Sequence, residues 1–304
     1  MGNINMKFFF ADLEQDITGL GMKTVLYASI VLVVATVVAV LMKNKLPKLK
    51  LPLFLVMAIT LVGSTLLLFG STIYLNTHSE SGGPVHWHSD IEFWVCGTEL
   101  ELRDPHGTLS NKIGTATYHE HNDKRIHLEG VVVRKSEDAT LNKFMRVSDG
   151  FVTHDAIGVP LNDNAEEWYI SGNQLDGDQQ NLDNIAELAN HVKQTDSGPI
   201  MEFVNGQNCN DQPAELQTFV YRYDEATKTY RQNKLSDSSK YIMRDESVVP
   251  PGDCVIVEFD KPKARTNKLC RQYGIRDSKR CVEFGVDGYD PELCNITETT
   301  GGTD

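Results

Sequence analysis

Two His-x-His pairs are the residues of this chain whose type and spacing point most directly to chemistry. The pairs are His86–His88 and His119–His121, and His127 follows shortly after the second pair. Side chains two residues apart on a β-strand point to the same face, so each pair presents two imidazoles together. Neutral imidazole is a ligand of zinc, copper, nickel and iron. The spacing therefore predicts a transition-metal site, with zinc or copper as the expected ion.

A shared site requires the two strands to lie close together. Three or four imidazoles can then meet one ion at the Zn–N distance of about 2.0–2.1 Å. We expect His127 as a further ligand, and we expect nearby carboxylates either to ligate or to orient the rings. The predicted metal-binding set is His86, His88, His119, His121, His127 and Glu129, with Asp90 and Asp123 as further carboxylates beside it.

Two other interpretations of these residues remain open. In the first, the histidines form a metal-free hydrogen-bonded network, and the domain is an envelope structural or adhesion module. In the second, the string from His119 to Asp123 belongs to a metal-dependent hydrolase of the metallo-β-lactamase type, although Lys124 departs from that motif. A hydrolase needs an open metal position and a general base, for which Glu120 and Asp123 are the candidates.

Cysteines indicate an oxidising compartment. All six lie after residue 77, and the chain contains no Cys-x-x-Cys motif of the kind found in zinc knuckles and redox sites. An even number outside the cytoplasm predicts disulfide bonds. The spacing does not select among the possible pairings, although the short separation of Cys270 and Cys281 favours a local pair. The predicted disulfide residues are Cys96, Cys209, Cys254, Cys270, Cys281 and Cys294.

Two uncharged apolar segments, 24–42 and 51–75, occupy the N-terminal part. A bilayer core of about 30 Å requires roughly 20 apolar residues as a helix, so both segments are long enough to span it. The linker 43–50 carries four lysines and no acidic residue. Positive charge favours the cytoplasmic side. We therefore expect a two-span hairpin over 1–76 in the plasma membrane, with both termini outside.

Charge separates the chain into two parts and excludes several classes of protein. The 304 residues include 29 Lys+Arg and 42 Asp+Glu, for a net charge of −13, and residues 77–304 carry 23 basic and 39 acidic residues. So acidic a domain disfavours nucleic-acid binding. The apolar segments exclude a purely soluble enzyme, and their number excludes a multi-spanning transporter. The expected partner is the lipid bilayer, with envelope proteins or polymers as further partners.

Pattern along the remaining chain predicts an α+β fold in which the extracytoplasmic domain is mainly antiparallel β with short helices, including β-grasp-like parts. We expect a tether over 77–84, a His-rich domain over 85–260 and a Cys-rich tail over 261–304. A hairpin is expected to turn at Cys96-Gly97. Further strands are expected over 116–121, 125–133, 201–204, 217–223, 230–234 and 254–259, and helices over 139–147 and 182–193.

Several of these motifs resemble a group of membrane-anchored or secreted bacterial envelope proteins for which no activity is established. The group has a His-Trp-His opening followed by Cys-Gly, a His-x-His-x-Asp-Gly-x-Ile-His-Ile-His stretch, an Asn-Gly hairpin and a Gly-Asp turn. The matching residues here are His86-Trp87-His88, Cys96-Gly97, His119 to Asp123, Ile126-His127, Asn205-Gly206 and Gly252-Asp253. This chain has Lys124 in place of the glycine and Glu129 in place of the last histidine. The resemblance covers scattered blocks of 83–260 and implies placement in the cell envelope.

Overall fold

The computed structural model describes residues 13–42, 47–105, 111–169, 188–224, 229–245 and 252–271. It divides into two compact units. The first runs to Pro84 and includes Val131–Arg134, and the second consists of Val85–Gly130 and the chain from Lys135 onward.

Two long apolar helices, α1 (Leu13–Met42) and α2 (Lys50–Thr77), form the first unit. They run antiparallel, because Thr36 Oγ1 lies 3.8 Å from Met57 Sδ while Gly21 lies beside Leu68. Most of their large apolar side chains are exposed. Hydroxyls within the helices bond to carbonyls of the preceding turn, as Thr36 does to Leu32 O, so they need no water. Both helices are long and apolar enough to cross a membrane, judged by length and composition.

Over the residues described, the second unit is mainly antiparallel β-structure with two short α-helices, so the predicted α+β class is confirmed. The helices are α3 (Lys135–Asp138) and α4 (Leu141–Val147). The strands are β1 (Pro84–Val95), β2 (Thr98–Leu100), β3 (Ile113–Gly114), β4 (Tyr118–Glu120), β5 (Arg125–Val131), β6 (Phe151–Val152), β7 (Ala156–Pro160), β8 (Val192–Thr195), β9 (Gly198–Val204), β10 (Asn208–Cys209), β11 (Gln212–Pro213), β12 (Glu215–Asp224), β13 (Thr229–Lys234) and β14 (Asp253–Asp260).

The larger sheet has the strand order β13-β12-β14-β1-β5-β4-β3, and β2 pairs with β1. Strand β14 lies parallel to β1, with Val255 opposite Ile91, and antiparallel to β12. Its apolar run is buried on both faces: Val255, Ile256 and Val257 are almost fully inaccessible. A continuous apolar run of this kind is typical of a central strand covered on both sides. The smaller sheet has the order β6-β7-β9-β8, and β10 pairs with β11.

Local sequence signals account for the predicted hairpin and for helix α4. Cys96 and Gly97 both have positive φ values (51° and 84°), as the tight turn of a two-residue hairpin requires. Thr140 caps α4 by accepting a hydrogen bond from Lys143 N at 3.1 Å. The helix expected over 182–193 is wrong at its end, because Val192–Thr195 forms β8 against β9. The earlier part, 182–187, lies outside the described residues.

Two disulfides join Cys96 to Cys209 and Cys254 to Cys270. The expected Cys270–Cys281 pair is therefore wrong. The segment after β14 folds back over its own sheet. Tyr221 Oη donates to Lys268 O at 2.7 Å and lies 3.2 Å from Thr266 O, and this contact places Cys270 beside Cys254. Cys281 and Cys294 lie outside the described residues.

We predict that Cys254→Ala/Cys270→Ala lowers the free energy of unfolding by about 3 kcal/mol, because a bridge that closes a loop of this size constrains the unfolded chain to that extent. The measurement is denaturant unfolding of the full chain in detergent. A peptide map of the unreduced protein should contain the linked pair Cys254–Cys270, and a map that links Cys270 to Cys281 would contradict the fold described here.

Candidate metal centre

Three neighbouring strands place the histidines. Strand β5 lies between β1 and β4 in the larger sheet and carries His127. His86 and His88 lie on β1, and His119 lies on β4 directly opposite His127, with His121 just beyond that strand. Adjacent strands are about 4.8 Å apart, so side chains on one face of three strands come into contact. The central strand therefore brings the two His-x-His pairs to a common neighbour.

The imidazoles form two groups of three that share His127. One group is His86, His88 and His127, and the other is His119, His121 and His127. Within each group one potential ligand atom of every residue lies within 4.8 Å of the others. The ring of His127 has its centroid 4.6 Å from that of His88 and 4.8 Å from that of His121. The spacing predicted His127 as an additional ligand, whereas the structure places it at the centre.

Asp123 fixes which nitrogen of His127 is available. Asp123 Oδ2 lies 3.1 Å from His127 Nε2, and an ionised carboxylate can only accept. Burial acts to raise the pKa of Asp123, but the hydrogen bond and charge of His127, together with Arg125, outweigh it and hold that pKa below its usual value. Nε2 therefore carries a proton, and in the neutral ring Nδ1 keeps the lone pair. A carboxylate that orients a histidine in this way is the usual support of a metal ligand.

Three buried ring nitrogens have no hydrogen-bond partner among the residues that the structure describes. They are Nδ1 of His88, of His119 and of His127. Leaving a buried polar atom unpaired costs about 1–3 kcal/mol. Such atoms are uncommon in folded proteins, and three on touching rings call for an explanation. A cation bound among the rings explains the unpaired state of those nitrogens that carry lone pairs.

His121 is oriented by the backbone. Its Nδ1 lies 2.9 Å from Asn111 O and donates to that carbonyl, so the lone pair of the neutral ring is on Nε2. That Nε2 lies 3.1 Å from Nε2 of His119. Two nitrogens bound to one tetrahedral zinc are about 3.3 Å apart. The separation fits a shared ion, and it also fits a hydrogen bond between the two rings.

Glu129 lies beside one histidine of each group. Its Oε1 is 3.0 Å from His86 Nε2, its Oε2 is 4.0 Å from His119 Nε2, and Lys112 Nζ is 3.6 Å from Oε2. Burial acts to raise the pKa of Glu129, but the charges of His119, Lys112 and His86 outweigh it and lower that pKa. The carboxylate is therefore anionic at neutral pH and offsets the charge of a bound cation.

Burial keeps two of the rings neutral. It lowers the pKa of His88 to about 3, with the charges of His127 and His86 adding to the effect. It also lowers the pKa of His119 to about 4, with the charges of Lys112 and His127 adding to the effect. Both rings are neutral at pH 7, which is the state that binds metal.

The turn after β4 uses the two carboxylates that sequence reasoning proposed as general bases. Glu120 Oε1 accepts hydrogen bonds from Asp123 N at 2.6 Å and Lys124 N at 2.9 Å. Asp123 accepts from His127 and from Arg125 N. Positive φ values at Asn122 and Lys124 make this tight turn possible. Both carboxylates therefore support the position of His127.

Two other features complete the surroundings of the site. Asp90 pairs with the buried Arg125 at 2.8 Å rather than with a histidine.

Sequence reasoning missed Asn111 and Lys112. A backbone carbonyl leaves no signal in residue type, and Lys112 precedes its contact Glu129 by many residues, so neither could be found from spacing.

Comparison with known proteins gave no match: no protein-family model, no curated protein and no solved structure matches this chain.

We predict that burial of His88 and His119 contributes a loss of stability in the metal-free protein as the pH falls from about 6.5 towards 4. His88 and His119 stay neutral in the folded state over this range, whereas the unfolded chain takes up protons below its ordinary histidine pKa of about 6.5. Buried carboxylates act in the opposite sense, because burial raises the pKa of Glu92, Glu101 and Glu120 to about 7. The test is therefore a difference between variants.

The measurement is the unfolding midpoint of chelator-treated full-length protein in detergent at pH 7, 6 and 5. The variant His88→Gln/His119→Gln should lose less stability over this range than the wild type. The slope of its unfolding free energy against pH should differ from that of the wild type by the uptake of up to about two protons per molecule. His154→Ala, at an exposed side chain, should follow the wild type. An identical pH dependence in the double variant would show that these rings are not held neutral.

Proposed function

We propose that this protein is a membrane-anchored extracytoplasmic protein that captures a transition-metal ion, zinc or copper, through His127 and the two histidine pairs around it. One observation carries the proposal. His127 is held by Asp123 in the tautomer that leaves Nδ1 bare, and that buried nitrogen has no partner among the described residues. A metal ion is the ligand that this arrangement is suited to bind.

Exposure at one side of the cluster favours capture over a purely structural role. The side chain of His86 is 54% exposed and that of Glu129 is 36% exposed, whereas those of His119 and His127 are fully buried. A structural zinc site is closed by four protein ligands. An ion at this cluster has a route to solvent past His86, which suits reversible binding.

The alternatives account for fewer of the observations. A metal-free network explains the contact between His119 and His121 but leaves Nδ1 of His88, His119 and His127 unpaired. A hydrolase requires a general base at the metal, and Glu120 and Asp123 are both engaged in holding the turn. Metal capture gives the lone pair of His127 a partner and requires no general base from Glu120 or Asp123.

Placement outside the cytoplasm is supported by three features. Two helices are apolar enough to cross a membrane, and the two disulfides are typical of an oxidising compartment. The lysine-rich linker 43–50 favours a cytoplasmic loop between the helices. We therefore propose that both termini and the histidine cluster face outward, as in the bacterial envelope proteins that the motifs resemble.

We predict near-stoichiometric binding of Zn²⁺ or Cu²⁺ to the full-length protein in detergent after equilibrium dialysis and elemental analysis. His127→Ala should abolish it, because both groups of ligands lose their common member. His154→Ala is the matched control, since it removes an exposed imidazole elsewhere, and should bind as the wild type does. Equal metal content in the wild type and in His127→Ala would refute the proposal.

We also predict that protease added to intact cells or spheroplasts cleaves the domain that follows residue 77, because the proposed topology exposes it. A peptide tag inserted into the linker 43–50 should be protected until the membrane is permeabilised. Protection of the domain together with cleavage of the linker tag would reverse the orientation.

A further inference from the structure

This inference rests on the proposed function and concerns how the cluster handles its ion. We infer that the five imidazoles bind a single ion with two alternative ligand sets: an entry set, His86 and His88, and a retention set, His119 and His121, each completed by His127. The ion remains bound to His127 while the other ligands exchange.

The two sets exclude each other because His127 has one lone pair to give. Its Nε2–H donates to Asp123 at 3.1 Å, which leaves Nδ1 as the one ring nitrogen that can bind a metal ion. One lone pair binds one ion. Completing both sets at once would require His127 to lose its remaining proton and break the bond to Asp123. Because each set needs His127, we expect the five rings to hold one ion at a time.

Exposure gives the two sets different roles. His86 has the most exposed side chain of the entry set, at 54%, and lies near the start of β1. The retention set contains His119, which is fully buried, and His121, whose ring is fixed by Asn111 O. An ion from solvent meets His86 first, whereas the retention set, with His119 buried and His121 half-buried, is less open to water. The arrangement therefore favours entry at one set and slow release from the other.

Short distances make the exchange possible without release. The ring of His127 lies 4.6 Å from His88 and 4.8 Å from His121, so ligands of both sets are within reach of an ion held by His127. Each exchange breaks one metal–nitrogen bond and forms another, with no change in oxidation state.

Glu129 is the positioning residue for this exchange. It contacts His86 of the entry set at 3.0 Å and lies 4.0 Å from His119 of the retention set. Its negative charge therefore stays beside the cation in both arrangements. Glu129→Gln keeps the shape and removes the charge, so it should slow the exchange between sets.

The test follows uptake of Co²⁺ by full-length protein in detergent in a stopped-flow spectrometer, since the visible absorption of Co²⁺ reports its ligands. The wild type should bind one ion in two phases, a concentration-dependent capture followed by a concentration-independent change of spectrum. His86→Ala/His88→Ala should slow capture by about tenfold or more and still reach one ion. His119→Ala/His121→Ala should lack the second phase and release the ion about tenfold faster or more.

His86→Ala alone guards against misfolding of the double variants, because its side chain is exposed, and it should slow capture in the same direction. Binding of two ions by the wild type, loss of stoichiometric binding in either double variant, or wild-type kinetics in both would overturn the two-set exchange while leaving metal binding intact. Absence of any uptake by the wild type would overturn the proposed function itself.

Discussion

The hydrogen bond between His127 and Asp123 is the interaction on which the rest of the site depends. It assigns the proton of the central imidazole to Nε2 and leaves Nδ1 as a bare nitrogen in a buried position. Asp123 is held in position for this hydrogen bond because Glu120 accepts hydrogen bonds from the backbone amides of Asp123 and Lys124 and so stabilises the turn. A short loop of polar residues thus determines what five rings on three strands can bind.

Backbone packing keeps those strands in register. A Cβ on Gly252 would lie 2.4 Å from His88 O, so a glycine is required where the chain leading into β14 passes β1. A Cβ on Gly114 would lie 2.5 Å from Tyr118 O, beside His119, and Gly114 has a φ of 105°. These two close approaches fix the backbone next to one histidine of each pair. A side chain at either position would force the backbone next to His88 or His119 to move.

Local patterns in the sequence predicted the features that depend on near neighbours. The two-residue period of a strand placed each His-x-His pair on one face, and the Cys96-Gly97 hairpin followed from turn chemistry. These local patterns could not predict the strand order, because the position of β5 between β1 and β4 is set by long-range pairing. The central role of His127, the parallel pairing of β1 with β14 and the Cys254–Cys270 bond all depend on such pairing, so spacing along the chain could not reveal them.

The most direct test of a metal held by neutral imidazoles around His127 is the X-ray absorption spectrum of the full-length protein loaded with one equivalent of Zn²⁺. The account predicts a first shell that contains at least three imidazole nitrogens at about 2.0–2.1 Å, and it predicts that this imidazole signature disappears in His127→Ala. A shell made of sulfur, or one of water and carboxylate oxygens that is the same in wild type and His127→Ala, would contradict it.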